Sequence, residues 1–232
     1  MIDLHTVSKH DFGKVFELLS IGQMTEEEVR ANCRIAKEYN MRSYMLAPFW
    51  LPVLVDEFKG TDINPGCGAG FPLGTEPPKA KAAAIECCVQ LGAKSLDFSM
   101  NYSALKAGRT DIVAEELDMF VDAAEGNETK VIIEVCMLTD DEAKRAVEMI
   151  ADRGINWVKS STGQFAGPTM HQVDLIMTQL KGTDVRLKVS GVKAPRPQNA
   201  YMYIKAGVEI IGSQGAVEII DGLELHRKLG LI

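Results

Sequence analysis

The sequence lacks the spacings by which small chains hold metals or disulfides. Its four histidines, His5, His10, His171 and His226, form no H-x-x-x-H pair, so no metal site is expected. The five cysteines, Cys33, Cys67, Cys87, Cys88 and Cys136, are odd in number and include no C-x-x-C pair. Reduced thiols in a cytoplasmic protein fit this pattern better than a disulfide framework. No apolar run approaches the length of a membrane span. The start, Met1-Ile2-Asp3-Leu4-His5, shows no basic segment followed by an apolar one, so no secretory signal is expected. A net charge of −7 leaves no basic surface for nucleic acid. No strand leads into G-x-G-x-x-G, and Gly66-Cys67-Gly68-Ala69-Gly70 has the wrong spacing.

What is present is ordinary globular material, 46% hydrophobic and 25% charged over 232 residues. No composition shift divides it, so residues 1–232 read as a single domain, with 1–15 as an N-terminal extension or short helix. Apolar runs at 15–19, 43–47, 95–100, 130–136, 155–158, 185–191 and 209–211 read as strands. An eighth, 63–69, is weak because Pro65, Gly66 and Gly68 interrupt it. Helical patterns lie between them. Thr25, with Glu28 three residues on, predicts a capping box at the start of one helix. Repeated βα units imply parallel strands and right-handed crossovers. Eight such units in this length predict an α/β fold, a single (β/α)8 barrel, with a doubly wound open sheet as the alternative.

Two of these strands end alike. Trp157-Val158-Lys159-Ser160-Ser161-Thr162-Gly163 and Leu187-Lys188-Val189-Ser190-Gly191 each place a lysine at the end of an apolar run, with Ser and Gly behind it. A single such lysine could snorkel to solvent. Burial, however, disfavours the ammonium and frees the amine to attack a carbonyl. Asp97 falls inside the strand Ser95–Met100 and reads either as a buried structural carboxylate or as a proton carrier. In a barrel, Lys159, Lys188 and Asp97 would converge on one mouth, an arrangement suited to amine-based carbonyl chemistry.

These segments resemble the deoxyribose-phosphate aldolase family of Schiff-base aldolases, over a match running from about Thr25 to Gly222. The resemblance implies that Lys159 is the nucleophile, that Lys188 perturbs it by like-charge repulsion and that Asp97 relays protons. Gly70-Phe71-Pro72-Leu73-Gly74, Ala104-Leu105-Lys106-Ala107-Gly108 and Lys130-Val131-Ile132-Ile133-Glu134 resemble further family stretches. The residues expected to hold the substrate and its phosphate are Gly163, Gly191, Lys193, Arg196, Gly212 and Ser213. Here the chain departs from the family. Gln164 follows Gly163, Val192 stands where a second glycine is usual, and Gln214-Gly215 replaces a serine pair. The family's Asp-His-Thr near the first strand is also absent.

The expected activity is that of a class I aldolase acting on a small-molecule aldehyde or sugar phosphate, most simply 2-deoxyribose 5-phosphate. It would need no cofactor and no metal, act in the cytoplasm without nucleic-acid or membrane partners, and leave a homo-oligomer open. Two alternatives stand beside it. One is an imine-forming aldolase or transaldolase for a different sugar, which the altered loops favour. The other is a non-catalytic sugar-phosphate-binding barrel that keeps the lysines as structural charges.

Overall fold

The computed structural model describes residues 2–232; Met1 of the N-terminal segment lies outside them. Eight parallel strands close into a barrel in sequential order, β1 bonding to both β2 and β8. They are β1 (Phe16–Leu19), β2 (Ser43–Met45), β3 (Asn64–Ala69), β4 (Ser95–Ser99), β5 (Glu128–Ile132), β6 (Trp157–Lys159), β7 (Arg186–Ser190) and β8 (Ile210–Ser213). The α-helices are α1 (Lys9–Phe12), α2 (Glu26–Glu38), α3 (Leu51–Glu57), α4 (Pro78–Gln90), α5 (Tyr102–Lys106), α6 (Thr110–Ala123), α7 (Asp140–Ala151), α8 (Met170–Gln179), α9 (Arg196–Lys205) and α10 (Ala216–Lys228). The expected (β/α)8 barrel is therefore the fold, and the open sheet is set aside.

Strand parity sorts the residues into two compartments, since alternate side chains face opposite sides of a sheet. Outward-facing Leu18, Leu96, Phe98, Val131, Val158 and Ile211 join the aliphatic core between the strands and the helices. Inward-facing Glu17, Asp97, Lys130, Lys159 and Lys188 are buried with Ser43 and Ser95, so the barrel interior is largely polar. The core that holds the molecule together thus lies outside the sheet, and the interior is left for chemistry.

Local signals act where they were read. Thr25 accepts from the Glu28 backbone N–H while the Glu28 carboxylate accepts from Thr25 N, which completes the expected capping box. Thr139 and Thr169 form two more, at α7 and α8.

Four elements differ from expectation. The doubtful β3 is a full strand. Pro65 lacks an N–H but still joins the sheet through its carbonyl, which accepts from Lys94 N. A Cβ on Gly68 would strike the Asp97 carbonyl, so the close approach of β4 requires that glycine, whereas one on Gly66 would meet the flexible end of Met45. The fifth strand stops at Ile132, before a left-handed Glu134 (φ 47°) that turns the chain into a 3-10 helix at Val135–Met137. The short α5 and the final α10 had not been expected. Among the described residues no helix is long and apolar enough to cross a membrane.

Candidate active site

Lys159 closes β6 and Lys188 is its register partner on β7. Asp97 lies on β4, and its carboxylate joins the two. Lys159 Nζ donates to Asp97 Oδ2 at 2.5 Å, and Lys188 Nζ donates to Asp97 Oδ1 at 3.2 Å. All three are nearly inaccessible, Asp97 being the most exposed at 8%. The fold thus assembles one constellation from three positions that span 91 residues of sequence.

A fourth member had not been singled out. Glu17 of β1 is buried and pairs with Lys188 Nζ, and its other oxygen lies 3.3 Å from Lys130 Nζ. Lys130 also donates to Glu128 Oε2 at 2.6 Å, and Glu128 pairs with Arg42. The result is a row of alternating charge down the barrel: Lys159, Asp97, Lys188, Glu17, Lys130, Glu128, Arg42. Its foot is closed by Trp157, which donates to Glu128 and lies under the Arg186 guanidinium. The available sequence signal was a charged residue within or at the start of an apolar run, at Phe16-Glu17-Leu18 and at Lys130-Val131-Ile132. Such a residue is costly in a core unless it is paired.

The row holds four bases and three acids, so it balances when Lys159 is a neutral amine. Burial, the largest influence, pushes the Lys159 pKa down to about 8; Asp97 opposes that shift and Lys188 assists it. Like-charge repulsion from Lys188 is therefore real but secondary to burial. Lys188 is buried as deeply, yet Asp97 and Glu17 together outweigh desolvation and hold its pKa above 10.5. Burial works against the Asp97 carboxylate too, but Lys159 and Lys188 keep it well below the usual carboxylate range.

The Ser160-Ser161-Thr162-Gly163 turn behind Lys159 is held from β5. Glu134 accepts from Thr162 N at 3.0 Å and from the Thr162 hydroxyl. The left-handed backbone at Glu134 ends the extended run before residue 136 and precedes the 3-10 helix Val135–Met137. Gly191 (φ 79°) lets the β7 loop lie against the β6 loop; a Cβ there would come within 3.1 Å of Gly167 Cα and 3.3 Å of Gly163 Cα.

Two cavities meet at this mouth. The larger, about 410 Å³, reaches Lys159, Asp97 and Ser99 and extends over β1, β2 and β3. The smaller, about 180 Å³, is lined by all six residues expected around the phosphate: Gly163, Gly191, Lys193, Arg196, Gly212 and Ser213. Leu19, Ile21 and Thr162 border both. Both cations of the smaller cavity are engaged within the protein. Lys193 Nζ donates to Gly163 O at 3.2 Å, and Arg196 Nη1 donates to Glu218 at 3.0 Å. Gln164 is exposed and lies outside that lining, whereas Val192 is buried within it.

No protein-family model matches the chain. A deoxyribose-phosphate aldolase of Streptococcus suis (strain 98HAH33) is 35% identical over 203 residues, 87% of this chain and 91% of the relative. One of Geobacillus sp. (strain WCH70) is 34% identical over 199 residues, 85% of this chain and 89% of that one. Among solved structures, the tetrameric deoxyribose phosphate aldolase of Aeropyrum pernix superposes with a TM-score of 0.81 at 26% identity, covering 94% of this chain and 92% of that one. Relatives at this identity, matched along nearly their whole length and sharing the closed barrel, show that the chain belongs to the deoxyribose-phosphate aldolase family.

Proposed function

We propose that this protein is a class I aldolase, an aldehyde-lyase that cleaves and forms a carbon–carbon bond through an imine on Lys159. The reaction is 2-deoxyribose 5-phosphate to acetaldehyde and glyceraldehyde 3-phosphate. The observation that carries the proposal is a buried amine with a pKa near 8, in contact with a carboxylate at the head of a cavity.

The Lys159 amine adds to the aldehyde carbon of the open-chain sugar, and the carbonyl oxygen leaves as water. The cationic imine is an electron sink. Loss of the hydroxyl proton two carbons away lets the adjacent carbon–carbon bond break, its electron pair passing into an enamine. Protonation of the enamine and hydrolysis release acetaldehyde and restore the amine. In this scheme Asp97 and Lys188 move the protons through water. Glu17 keeps Lys188 charged, which leaves Lys159 as the group able to lose its proton near neutrality. Backbone N–H groups around Gly163, Gly191, Gly212 and Ser213 would hold the phosphate, with Lys193 and Arg196 adding charge once released from Gly163 and Glu218.

A second reading is an imine-forming aldolase or transaldolase acting on a different sugar. It is favoured by the prior engagement of both cations of the smaller cavity. Membership of an aldolase family weighs against a non-catalytic binding barrel. A homo-oligomer belongs to the same proposal, supported by the tetrameric relative. So does a cytoplasmic location, which the five free cysteines support.

Wild type and Lys159→Ala are assayed with 2-deoxyribose 5-phosphate and with unphosphorylated 2-deoxyribose, and adducts are trapped with borohydride. Wild type is expected to turn over the phosphate ester and label at Lys159 alone, while the variant does neither and remains folded. Labelling at another lysine would end the assignment. Turnover of the free sugar at equal efficiency would favour the second reading.

A further inference from the structure

The reaction cavity has two unlike walls. The β4–β6 wall supplies its reactive groups: Lys159, Asp97 and the Ser99 hydroxyl, which is buried and has no hydrogen-bond partner among the described residues. The opposite side, from β1 to the loop after β3, is mostly apolar, with Leu19, Met45 and Pro48, and also includes the exposed Glu76. The hydroxyl on that side, Ser20, is already engaged by Tyr44 Oη at 2.8 Å and Asn32 Nδ2 at 3.3 Å. Gly68 puts no side chain into the wall, which keeps it recessed. At the entrance Ile21 and Phe71, 40% and 42% exposed, leave apolar surface uncovered.

A sugar hydroxyl laid against this wall would give up water and find few partners, chiefly the Ser20 hydroxyl and Glu76. An alkyl chain there would gain from leaving water. Space is ample. At a water's share of about 30 Å³, a cavity of 410 Å³ has room for roughly a dozen heavy atoms, far more than acetaldehyde fills.

We propose that, besides the acetaldehyde unit of the reaction above, this site takes as its imine-forming partner an unphosphorylated alkanal longer than acetaldehyde, its chain lying on the β1–β3 wall. This rests on the imine chemistry proposed for Lys159. The step is self-contained: the C–N bond forms, and the carbonyl oxygen leaves as water with the two amine protons.

The test is borohydride trapping with acetaldehyde, butanal and hexanal, quantified on the Lys159 peptide by mass spectrometry. The half-saturating concentration is expected to fall by about tenfold or more from acetaldehyde to hexanal, each buried methylene contributing at most a roughly fourfold gain. Ala47→Phe, at an exposed position on the cavity edge, should erase most of that hexanal-to-acetaldehyde ratio. Equal half-saturation for the three aldehydes would overturn the proposal. So would a hexanal preference that survives Ala47→Phe, which would place the chain elsewhere. Labelling by acetaldehyde alone would sink the aliphatic arm and leave the imine reading standing. No Lys159 adduct with any aldehyde would remove both.

Discussion

Lys159 and Lys188 are register partners with almost no solvent contact, yet burial depresses one pKa while the other is raised. The difference lies in their carboxylates. Lys188 touches Glu17 and Asp97, whereas Lys159 touches Asp97 alone and must share it. Two substitutions should therefore move Lys159 in opposite directions. Asp97→Asn removes the charge that raises its pKa, so the pH at which imine trapping reaches half its plateau should fall below about 8. Lys188→Met removes a charge that lowers it, so the midpoint should rise. The amine is the reactive form, so in every case trapping increases with pH up to the plateau. Trapping rates measured across pH would decide it, and parallel shifts would mean that repacking rather than charge controls the amine.

Among the elements, one clamp joins parts that strand pairing does not. Lys81 of α4 is 1% exposed and donates to Glu116 of α6 at 2.6 Å, to the Ser99 carbonyl at 3.0 Å and to the Gly74 carbonyl at 2.9 Å. Glu116 in turn accepts from Asn101 N at 2.7 Å. One buried ion pair thereby ties two helices to the end of β4 and to the loop carrying Phe71, which borders the reaction cavity. Lys81→Met leaves Glu116 buried without its partner and should cost about 3–5 kcal/mol in urea unfolding. Adding Glu116→Leu should recover much of that loss, because two apolar side chains need no partner. A double variant no more stable than the single one would show that the backbone contacts of Lys81 matter more than its charge.

Through the whole molecule, the charged row makes stability depend on pH. Glu17, Asp97 and Glu128 all have folded pKa values below their ordinary ones, with Glu128 near 2. A depressed carboxylate contributes stability that is complete above its unfolded pKa and is lost as the pH falls through its folded value. Buried Glu116 runs the other way, its pKa being raised, but it stands alone against three. Lys159 and Lys188 are protonated in both folded and unfolded states in acid, so they add no slope there. The urea midpoint should therefore hold steady near neutrality and decline once the pH drops below the ordinary carboxylate values of 4.5 and 3.8. A midpoint unchanged down to about 2 would mean that the row is not ionised as drawn.

The barrel and its lysines were legible because their signals are local. An apolar run reads as a strand, a threonine with a glutamate three residues on reads as a helix start, and a lysine closing a buried run is costly wherever it stands. Thr25, Lys159 and Lys188 each carried such a signal. What could not be read were relations between distant positions. Glu17 meets Lys188 across 171 residues, and only closure of β8 onto β1 brings them together. Pro65 and Gly68 argue against a strand when taken alone, and only the folded sheet shows why they fit, with Lys94 N reaching the Pro65 carbonyl and Asp97 passing close to Gly68. The left-handed turn at Glu134 and the contact of the β6 and β7 loops through Gly163 and Gly191 likewise depend on neighbours from other strands. Side-chain type follows from the chain alone. The sign and size of a buried charge's pKa shift depend on which opposite charges lie within a few ångströms, and that is a property of the folded barrel.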